Sequence, residues 1–125
     1  MKLIATGSKR SMFDVLHSTH NAQAAMMTLR PGQSTSDKPE NEHPRCEQWL
    51  FVLRGSGRAS VGRRRVPLKA NALLLIEKGE AHRVTNTGRK PLVTLNFYAP
   101  PAYSPSGDVK WMARVPTLRS ALRTK

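Results

Sequence analysis

Four polar residues in two short stretches have the types and the spacing of a metal site. Asn41, His43 and Gln48 lie in the stretch 40–57, which reads ENEHPRCEQWLFVLRGSG, and His82 lies in the stretch 77–86. Imidazole nitrogens are good ligands for zinc, copper, iron and nickel, whereas amide oxygens bind these metals weakly. Asn41 and His43 are two residues apart, so in an extended chain their side chains point to the same side. These residues predict a site for a divalent metal or a small polar ligand.

Acidic residues gather around the same two stretches. The chain has 21 lysines and arginines but only 8 acidic residues, and its formal net charge is +13. Six of the eight acids lie in or beside the stretches: Asp37, Glu40, Glu42, Glu47, Glu77 and Glu80. Negative charge collects where a cation binds, but an ordinary solvated surface around loops has the same distribution. The acids are therefore compatible with a metal site without requiring one.

The strong positive charge raises the hypothesis of a nucleic-acid partner. The basic residues are spread through every segment, the densest run being Arg63, Arg64 and Arg65 in a predicted hairpin. The aromatic residues are not interleaved with them, and no nucleic-acid-binding motif accompanies them. We therefore expect only weak, non-specific and salt-dependent attraction to DNA.

The bulk properties indicate one domain in a reducing compartment. The length of 125 residues fits a single domain with a modest core. The single cysteine, Cys46, excludes an intrachain disulfide, which agrees with a cytoplasmic protein. No apolar stretch approaches the roughly 18 residues of a membrane span, and the N-terminus does not resemble a signal peptide. The sequence therefore predicts a cytoplasmic location and no membrane partner.

Three apolar runs of strand length must position the candidate site. Residues 48–53, 72–76 and 92–98 are predicted as central strands, and the first two runs have no polar face, which indicates burial on both faces. Residues 22–29 favour a further strand, and glycine, proline or asparagine interrupts the pattern about every ten residues. This pattern predicts an all-β sandwich or barrel. Because both faces of two strands need cover, we also expect a homodimer.

The stretch 41–55 resembles the first motif of the cupin superfamily, G-x5-H-x-H-x3,4-E-x6-G. Gly55 stands at its closing glycine, and Gln48 stands where the motif has its glutamate ligand. His43 falls at the second histidine and Asn41 at the first. The second motif, G-x5-P-x-G-x2-H-x3-N, is matched as follows: Gly79, His82 and Asn86 in register, with Asn71 in place of the first glycine and Glu77 in place of the proline.

The resemblance covers residues 22–103 and is closest to small bacterial single-domain cupins that end in Y-x-P-P-x-Y, here 98–103. It implies an all-β, double-stranded β-helix (jelly-roll) barrel in a single domain, in a family that is often dimeric. The barrel would span 22–103, with an N-terminal arm or strand over 1–21 and a basic C-terminal tail over 104–125.

A full cupin site supplies three histidines and one glutamate to a divalent metal. The resemblance therefore implies a reduced ligand set in this chain, namely His43, His82, Asn41 and Gln48. Glu42, Glu47 or Cys46 could compensate, and Cys46 shares a strand face with Gln48. Iron, nickel, zinc or manganese are the candidate metals, with an affinity that falls as the pH drops through about 6 to 7.

Three function classes follow. The first is a metal-dependent enzyme that acts on a small molecule, of the dioxygenase, isomerase or epimerase, or decarboxylase type that the resemblance implies. The alternative is a non-catalytic, small-molecule-binding cupin with a degenerate metal site, and the third is a basic protein associated with nucleic acid. His43 and His82 could also be hydrogen-bonded residues that line an empty barrel. Asn86 is interpreted as structural, because asparagine suits turns.

Overall fold

A computed structural model describes residues 1–41 and 43–104. These residues form eight β-strands and no α-helix. The strands are β1 (Phe13–Ser18), β2 (Gln23–Leu29), β3 (Glu47–Arg54), β4 (Ser56–Val61), β5 (Arg64–Lys69), β6 (Leu73–Ile76), β7 (His82–Thr85) and β8 (Leu92–Ala99). Glu42 and the predicted basic tail beyond Ser104 lie outside the described residues. Within those residues, none belongs to a helix long and apolar enough to cross a membrane.

The strands form two antiparallel sheets that enclose one barrel. The larger sheet has the order β1-β2-β8-β3-β6, and the smaller sheet has the order β5-β4-β7. This confirms the predicted all-β double-sheet barrel, and the strand predicted over 22–29 is β2. The run 72–76 is not central, because among the strands that the structure describes β6 pairs only with β3 and ends the larger sheet. An apolar run cannot distinguish a central strand from an edge strand whose outer face is exposed.

The predicted burial of both faces is also wrong for the single chain. Along β3 the side chains alternate, so that Leu50 and Val52 face the interior whereas Trp49 is 38% exposed. On β6, Leu73 is 61% exposed. The period-two geometry of a strand imposes this alternation even where both faces are apolar. The larger sheet therefore has one buried face and one exposed apolar face.

The main core lies between the two sheets. It consists of buried side chains from six of the eight strands: Met27, Leu29, Leu50, Val52, Ala59, Leu68, Val84 and Leu92. A second buried cluster contains Ala25, Cys46, Tyr98, Ala102 and Tyr103. Tyr98 of this cluster also lines the interior cavity described below. The barrel is thus filled with apolar side chains in one region, and His43 lies beside the second cluster, where its ring neighbours those of Tyr98 and Tyr103.

Asn86 anchors the turn between β7 and β8. Its amide Nδ2 donates to the carbonyl oxygens of Leu29 at 2.8 Å and Lys90 at 2.9 Å, and its Oδ1 accepts from the backbone N–H of Gly88 at 2.8 Å. The side chain is buried, so these bonds satisfy groups that water does not reach. The structural interpretation of Asn86 is supported by these three bonds.

Candidate functional site

His43 and His82 meet inside the barrel. His43 lies in the turn before β3, where its carbonyl oxygen accepts from the backbone N–H of Cys46 at 3.1 Å, and His82 begins β7. The two imidazole rings have centroids 4.7 Å apart and planes inclined by 41°. Both side chains are buried. Two segments far apart in sequence therefore bring two imidazoles into direct contact.

A chain of hydrogen bonds orients His43. Its Nε2 lies 2.9 Å from Oε1 of Gln48, and Nε2 of Gln48 donates to Oδ1 of Asn96 at 2.9 Å. Asn96 in turn donates from Nδ2 to Oγ1 of Thr94 at 2.9 Å. Because an amide oxygen only accepts, His43 Nε2 is the donor in this arrangement. Gln48 stands opposite Tyr98 in the β3–β8 pairing, and Asn96 is its diagonal neighbour.

The other histidine is oriented by the turn that precedes it. His82 Nδ1 lies 2.9 Å from the carbonyl oxygen of Glu80, so Nδ1 carries the hydrogen and donates. The Nε2 of His82 therefore bears the lone pair. Gly79 has a φ of +84°, a conformation that a side chain disfavours and that this turn requires.

Both histidines are held in the neutral form. Burial, together with a smaller repulsion from the neighbouring His82, lowers the pKa of His43 to about 4, against smaller opposing hydrogen bonds. Burial also lowers the pKa of His82, against a hydrogen bond and the negative charge of Glu80. At neutral pH the pair therefore carries no charge and keeps its lone pairs.

Aromatic rings line one side of the site. The ring centroids of Tyr98 and Tyr103 lie 5.1 Å and 6.1 Å from that of His43, and 4.9 Å from each other. Gln23 of β2 holds the Tyr103 segment in place, since its Oε1 accepts from the N–H groups of Ala102 and Tyr103 and its Nε2 donates to the Tyr103 carbonyl at 2.7 Å. Phe13 packs edge-on to Tyr103 with centroids 4.9 Å apart.

These side chains surround a cavity of about 20 Å³. That volume holds about one water molecule or one ion. Its lining is His43, Gln48, His82, Thr35, Phe13, Met27, Val84, Tyr98 and Tyr103. The space is therefore matched to a single small occupant, and no acidic residue among the described ones lines it.

A family model described as "Cupin domain" matches residues 25–98. The chain belongs to the cupin family. The match covers most of β2 and β8 and includes His43, Gln48 and His82, whereas the cavity-lining residues Phe13 and Tyr103 lie outside it.

Two relatives have curated names. TcmJ, a tetracenomycin polyketide synthase protein of Streptomyces glaucescens, is 32% identical over 63 residues, which are 50% of this chain and 40% of TcmJ. YrkC of Bacillus subtilis is 28% identical over 111 residues, which are 84% of this chain and 58% of YrkC. This cupin therefore spans about half the length of these two relatives.

Solved structures share the fold. A crystal structure of BH2720 from Bacillus halodurans has a TM-score of 0.72 and 28% identity, with 83% of this chain and 80% of that chain covered. A predicted oxalate decarboxylase from Thermotoga maritima has a TM-score of 0.65 and 22% identity, with 80% and 100% covered. These likenesses support the double-sheet barrel assignment.

Not every residue with a predicted ligand role in this cupin reaches the cavity. Asn41 is half-buried and is absent from the cavity lining, and Glu47 points outward, where its Oε2 accepts from Trp49 Nε1 at 2.8 Å. Cys46 packs in the second buried cluster, and burial raises the pKa of its thiol to about 11 although Lys78 opposes this. A protonated thiol is a poor metal ligand. Among residues 1–41 and 43–104, no three His, Cys, Asp or Glu side chains are grouped to hold a metal.

Glu40 is the acidic residue that the chain pairs with His82. The two backbones exchange hydrogen bonds at 3.0 Å and 2.9 Å, and directly opposed residues of an antiparallel pair project to the same side. The Glu40 Oε2 is buried and has no hydrogen-bond partner. Sequence reasoning counted Glu40 only among the acids of its stretch, because a single-residue bridge leaves no periodic pattern.

Asn96, Thr94, Tyr98 and Tyr103 are the site residues that sequence reasoning missed. The first three alternate along β8 and all face the barrel interior. Their period of two inside an otherwise apolar strand was the available signal, since polar residues at every second position share one face. The Y-x-P-P-x-Y segment marked Tyr103 only as a point of resemblance, and its place beside His43 had no local signal, because Gln23 positions it from a strand 80 residues away.

Proposed function

We propose that this cupin binds a divalent transition-metal ion between His43 and His82, with Oε1 of Gln48 as a third donor. The observation that carries the proposal is the distance of 2.9 Å between His43 Nε2 and Gln48 Oε1. Two donor atoms that each lie about 2.1 Å from an octahedral ion are about 3.0 Å apart. The hydrogen-bonded pair is therefore already spaced as two adjacent ligands. For a metal to bind there, the proton on His43 Nε2 would move to Nδ1, so that the neutral ring presents the Nε2 lone pair.

The protonation state of the histidines supports the same proposal. Metal ligation needs neutral imidazole, and burial keeps the pKa of His43 near 4. Protons therefore compete for this ligand only at low pH, below the range of about 6 to 7 expected for ordinary histidines. The hydrogen bond from His82 Nδ1 to the Glu80 carbonyl oxygen fixes the ring, so that the lone pair on Nε2 is available to a metal.

The charge of the cavity limits the affinity. The residues that line it are neutral, and a divalent ion placed among neutral groups loses its hydration without gaining an anionic partner. We therefore propose a modest affinity for iron, nickel, zinc or manganese. A carboxylate at position 48 would supply the missing negative charge.

The same geometry suits a metal-dependent enzyme. Three neutral donors would leave coordination positions open, and a metal held by them would supply Lewis-acid chemistry or lower the pKa of a bound water. The residues of the chain supply the rest: Asn96 orients Gln48, the Glu80 carbonyl orients His82, and Tyr98 and Tyr103 exclude bulk water. The dioxygenase, isomerase or epimerase, and decarboxylase types are the proposed reactions, on a small-molecule substrate.

A second candidate is a non-catalytic site for a small neutral ligand. The observation that favours it is the uncharged lining, in which Phe13, Met27 and Val84 contribute apolar side chains beside the histidines. In this candidate the bond between His43 and Gln48 is a structural contact, and metal is not the occupant.

The test is the metal content of protein purified without chelator and without a nickel column, followed by calorimetric titration with zinc and nickel. We expect binding that His82→Ala abolishes and that Gln48→Glu strengthens by roughly tenfold, because an anionic ligand replaces a neutral one. His20→Ala removes an exposed histidine and is the matched control, with no effect expected. Absence of metal from a folded Gln48→Glu variant would reject the metal site in favour of the second candidate.

A further inference from the structure

Arginine side chains converge on the outer face of the smaller sheet. They line a groove of about 360 Å³ and are Arg58, Arg63, Arg64, Arg65 and Arg83. In the strand pairing, Ser60 of β4 stands opposite Arg65 on one side and Arg83 on the other, so the three side chains share a face. The charge that is spread along the sequence is therefore concentrated in space by three strands.

No acidic residue among those that the structure describes neutralises the charge of the groove. Its remaining lining residues are Pro39, Ser60, Gly62 and Thr85, and no carboxylate of the described chain is among them. None of the five arginines forms a salt bridge within the residues that the structure covers. Five like charges around one space repel one another, and an anion in that space would remove the repulsion. The electrostatics of the groove therefore favour an anionic ligand.

Arg83 is positioned with part of its hydrogen-bonding capacity unused. Its Nη2 donates to Oγ of Ser34 at 3.2 Å, and that hydroxyl is held by a 2.8 Å hydrogen bond with Oγ1 of Thr85. The Nε of the same guanidinium is buried and has no hydrogen-bond partner. A buried charged donor without an acceptor is costly, so the neighbouring residues leave the hydrogen-bonding needs of this guanidinium only partly met.

We propose that this groove binds a small anion that carries at least two phosphate groups. Guanidinium groups match phosphate oxygens with paired hydrogen bonds, and several such groups around one space suit several phosphates. The volume is that of a small-ligand site. On β7, Val84 faces the interior cavity whereas Arg83 and Thr85 face this groove, so the site is separate from the histidines.

A neighbouring surface accommodates the uncharged part of such a ligand. A second cavity of about 310 Å³ shares Arg58 and Arg65 with the groove and is otherwise lined by Gly57, Val66, Pro67 and Thr87. A phosphate ester would place its phosphates among the arginines and its body against Val66 and Pro67. A nucleic-acid strand fits less well, because the exposed aromatic side chains Trp49 and Phe97, which could stack on bases, lie on the other sheet.

The experiment is calorimetric titration of the full chain with inorganic pyrophosphate at physiological ionic strength. We expect binding that Arg65→Gln and Arg83→Gln each weaken by about tenfold or more, since each removes charge-assisted hydrogen bonds. Arg89→Gln makes the same change of charge at an exposed position outside the groove and should leave the affinity within about twofold. Arg65 is exposed, so its variant tests the groove even if the Arg83 variant is less stable.

Three further results would overturn the proposal. Equal losses in the Arg65 and Arg89 variants would mean that pyrophosphate responds only to net charge. Orthophosphate that binds as tightly as pyrophosphate would remove the requirement for two phosphates. A duplex oligonucleotide that displaces pyrophosphate at the same salt concentration, and that loses affinity in the groove variants, would make this face a nucleic-acid surface instead.

Discussion

Burial of two histidines links the stability of this cupin to pH. The pKa of His43 falls from its ordinary value of 6.5 to about 4 in the folded chain, and the pKa of His82 is also lowered. Between these values the unfolded chain binds more protons than the folded chain. The contribution of the two neutral histidines to the free energy of unfolding is therefore complete above about pH 6.5 and is lost as the pH falls towards 4. For His43 the loss is about 3 kcal/mol at most, at about 1.4 kcal/mol per pKa unit.

We expect urea unfolding to show a free energy that decreases between pH 7 and pH 4.5, and a smaller decrease in His43→Gln. Glutamine keeps a polar side chain at position 43 but cannot titrate, so the variant loses the proton-linked part of the pH dependence. His20→Gln replaces an exposed histidine and should keep the slope of the unmodified protein. A His43→Gln variant with that same slope would show that His43 does not control acid stability.

At the scale of single residues, the sequence predicted more of the site than of its support. His43, Gln48 and His82 meet in one cavity, as their motif positions imply, and their role as metal ligands stays a prediction. The orientation of Gln48 depends on Asn96, and that of His43 depends on Gln48. The contact between Gln48 and Asn96 joins residues 48 positions apart, and no local pattern encodes it. Cys46 shares the inward face with Gln48, as predicted, but packs against tyrosines.

At the scale of elements, strand positions were predictable and strand order was not. Apolar runs and turn residues located β2, β3 and β8 because period and punctuation are local properties. Sheet order depends on which strands pair across long stretches of intervening sequence. Residues 72–76 are all apolar and were predicted as a central strand, yet β6 occupies the edge of the larger sheet. Local hydrophobicity indicates that a strand must bury a face, but not which strand or sheet packs against it.

The glycine in the turn between β3 and β4 allows the energetic cost of a close contact to be separated from the cost of a strained backbone conformation. Gly55 has a φ of +88°, and a Cβ there would lie 2.3 Å from the carbonyl oxygen of Pro91 and 2.8 Å from the Cα of Leu92. Gly79 has nearly the same conformation, with a φ of +84°, but a Cβ added there would have no atom within 4 Å apart from its chain neighbours. Gly79→Ala should therefore cost about 1 kcal/mol from conformation alone. Gly55→Ala should cost more, roughly 3 kcal/mol, because β8 must also move.

Chemical denaturation of the two alanine variants measures the difference between these two glycines. The pairing of β3 with β8 holds the site residues Gln48 and Tyr98 opposite each other, so Gly55→Ala should also weaken metal binding if the strands separate. Equal costs for the two variants would mean that the contact with Pro91 relaxes without effect.

At the scale of the whole molecule, the outer faces of the two sheets differ in chemical character. The smaller sheet carries the arginine-lined groove, whereas the larger sheet exposes apolar side chains. Sequence reasoning described the net charge of +13 as spread through every segment, which is true of the sequence but not of the folded chain. The larger sheet can therefore approach a second copy with this arginine-rich face directed away from the contact.

We expect a second copy of this chain to cover the exposed face of the larger sheet. In that face Trp49 stands between Leu75 on β6 and Phe97 on β8, and Phe51 stands between Leu73 and Leu95. A continuous apolar surface of this kind favours association, and the same patch on two copies can form a two-fold interface.

Light scattering at micromolar concentration should therefore give twice the chain mass of 13.9 kDa. Trp49→Glu should restore the monomer, because a dimer would bury its charge without a partner, whereas Thr87→Glu, at an exposed turn position outside this face, should leave the dimer intact. A 13.9 kDa species in the unmodified protein, or a dimer that survives Trp49→Glu, would show that this face is not the interface.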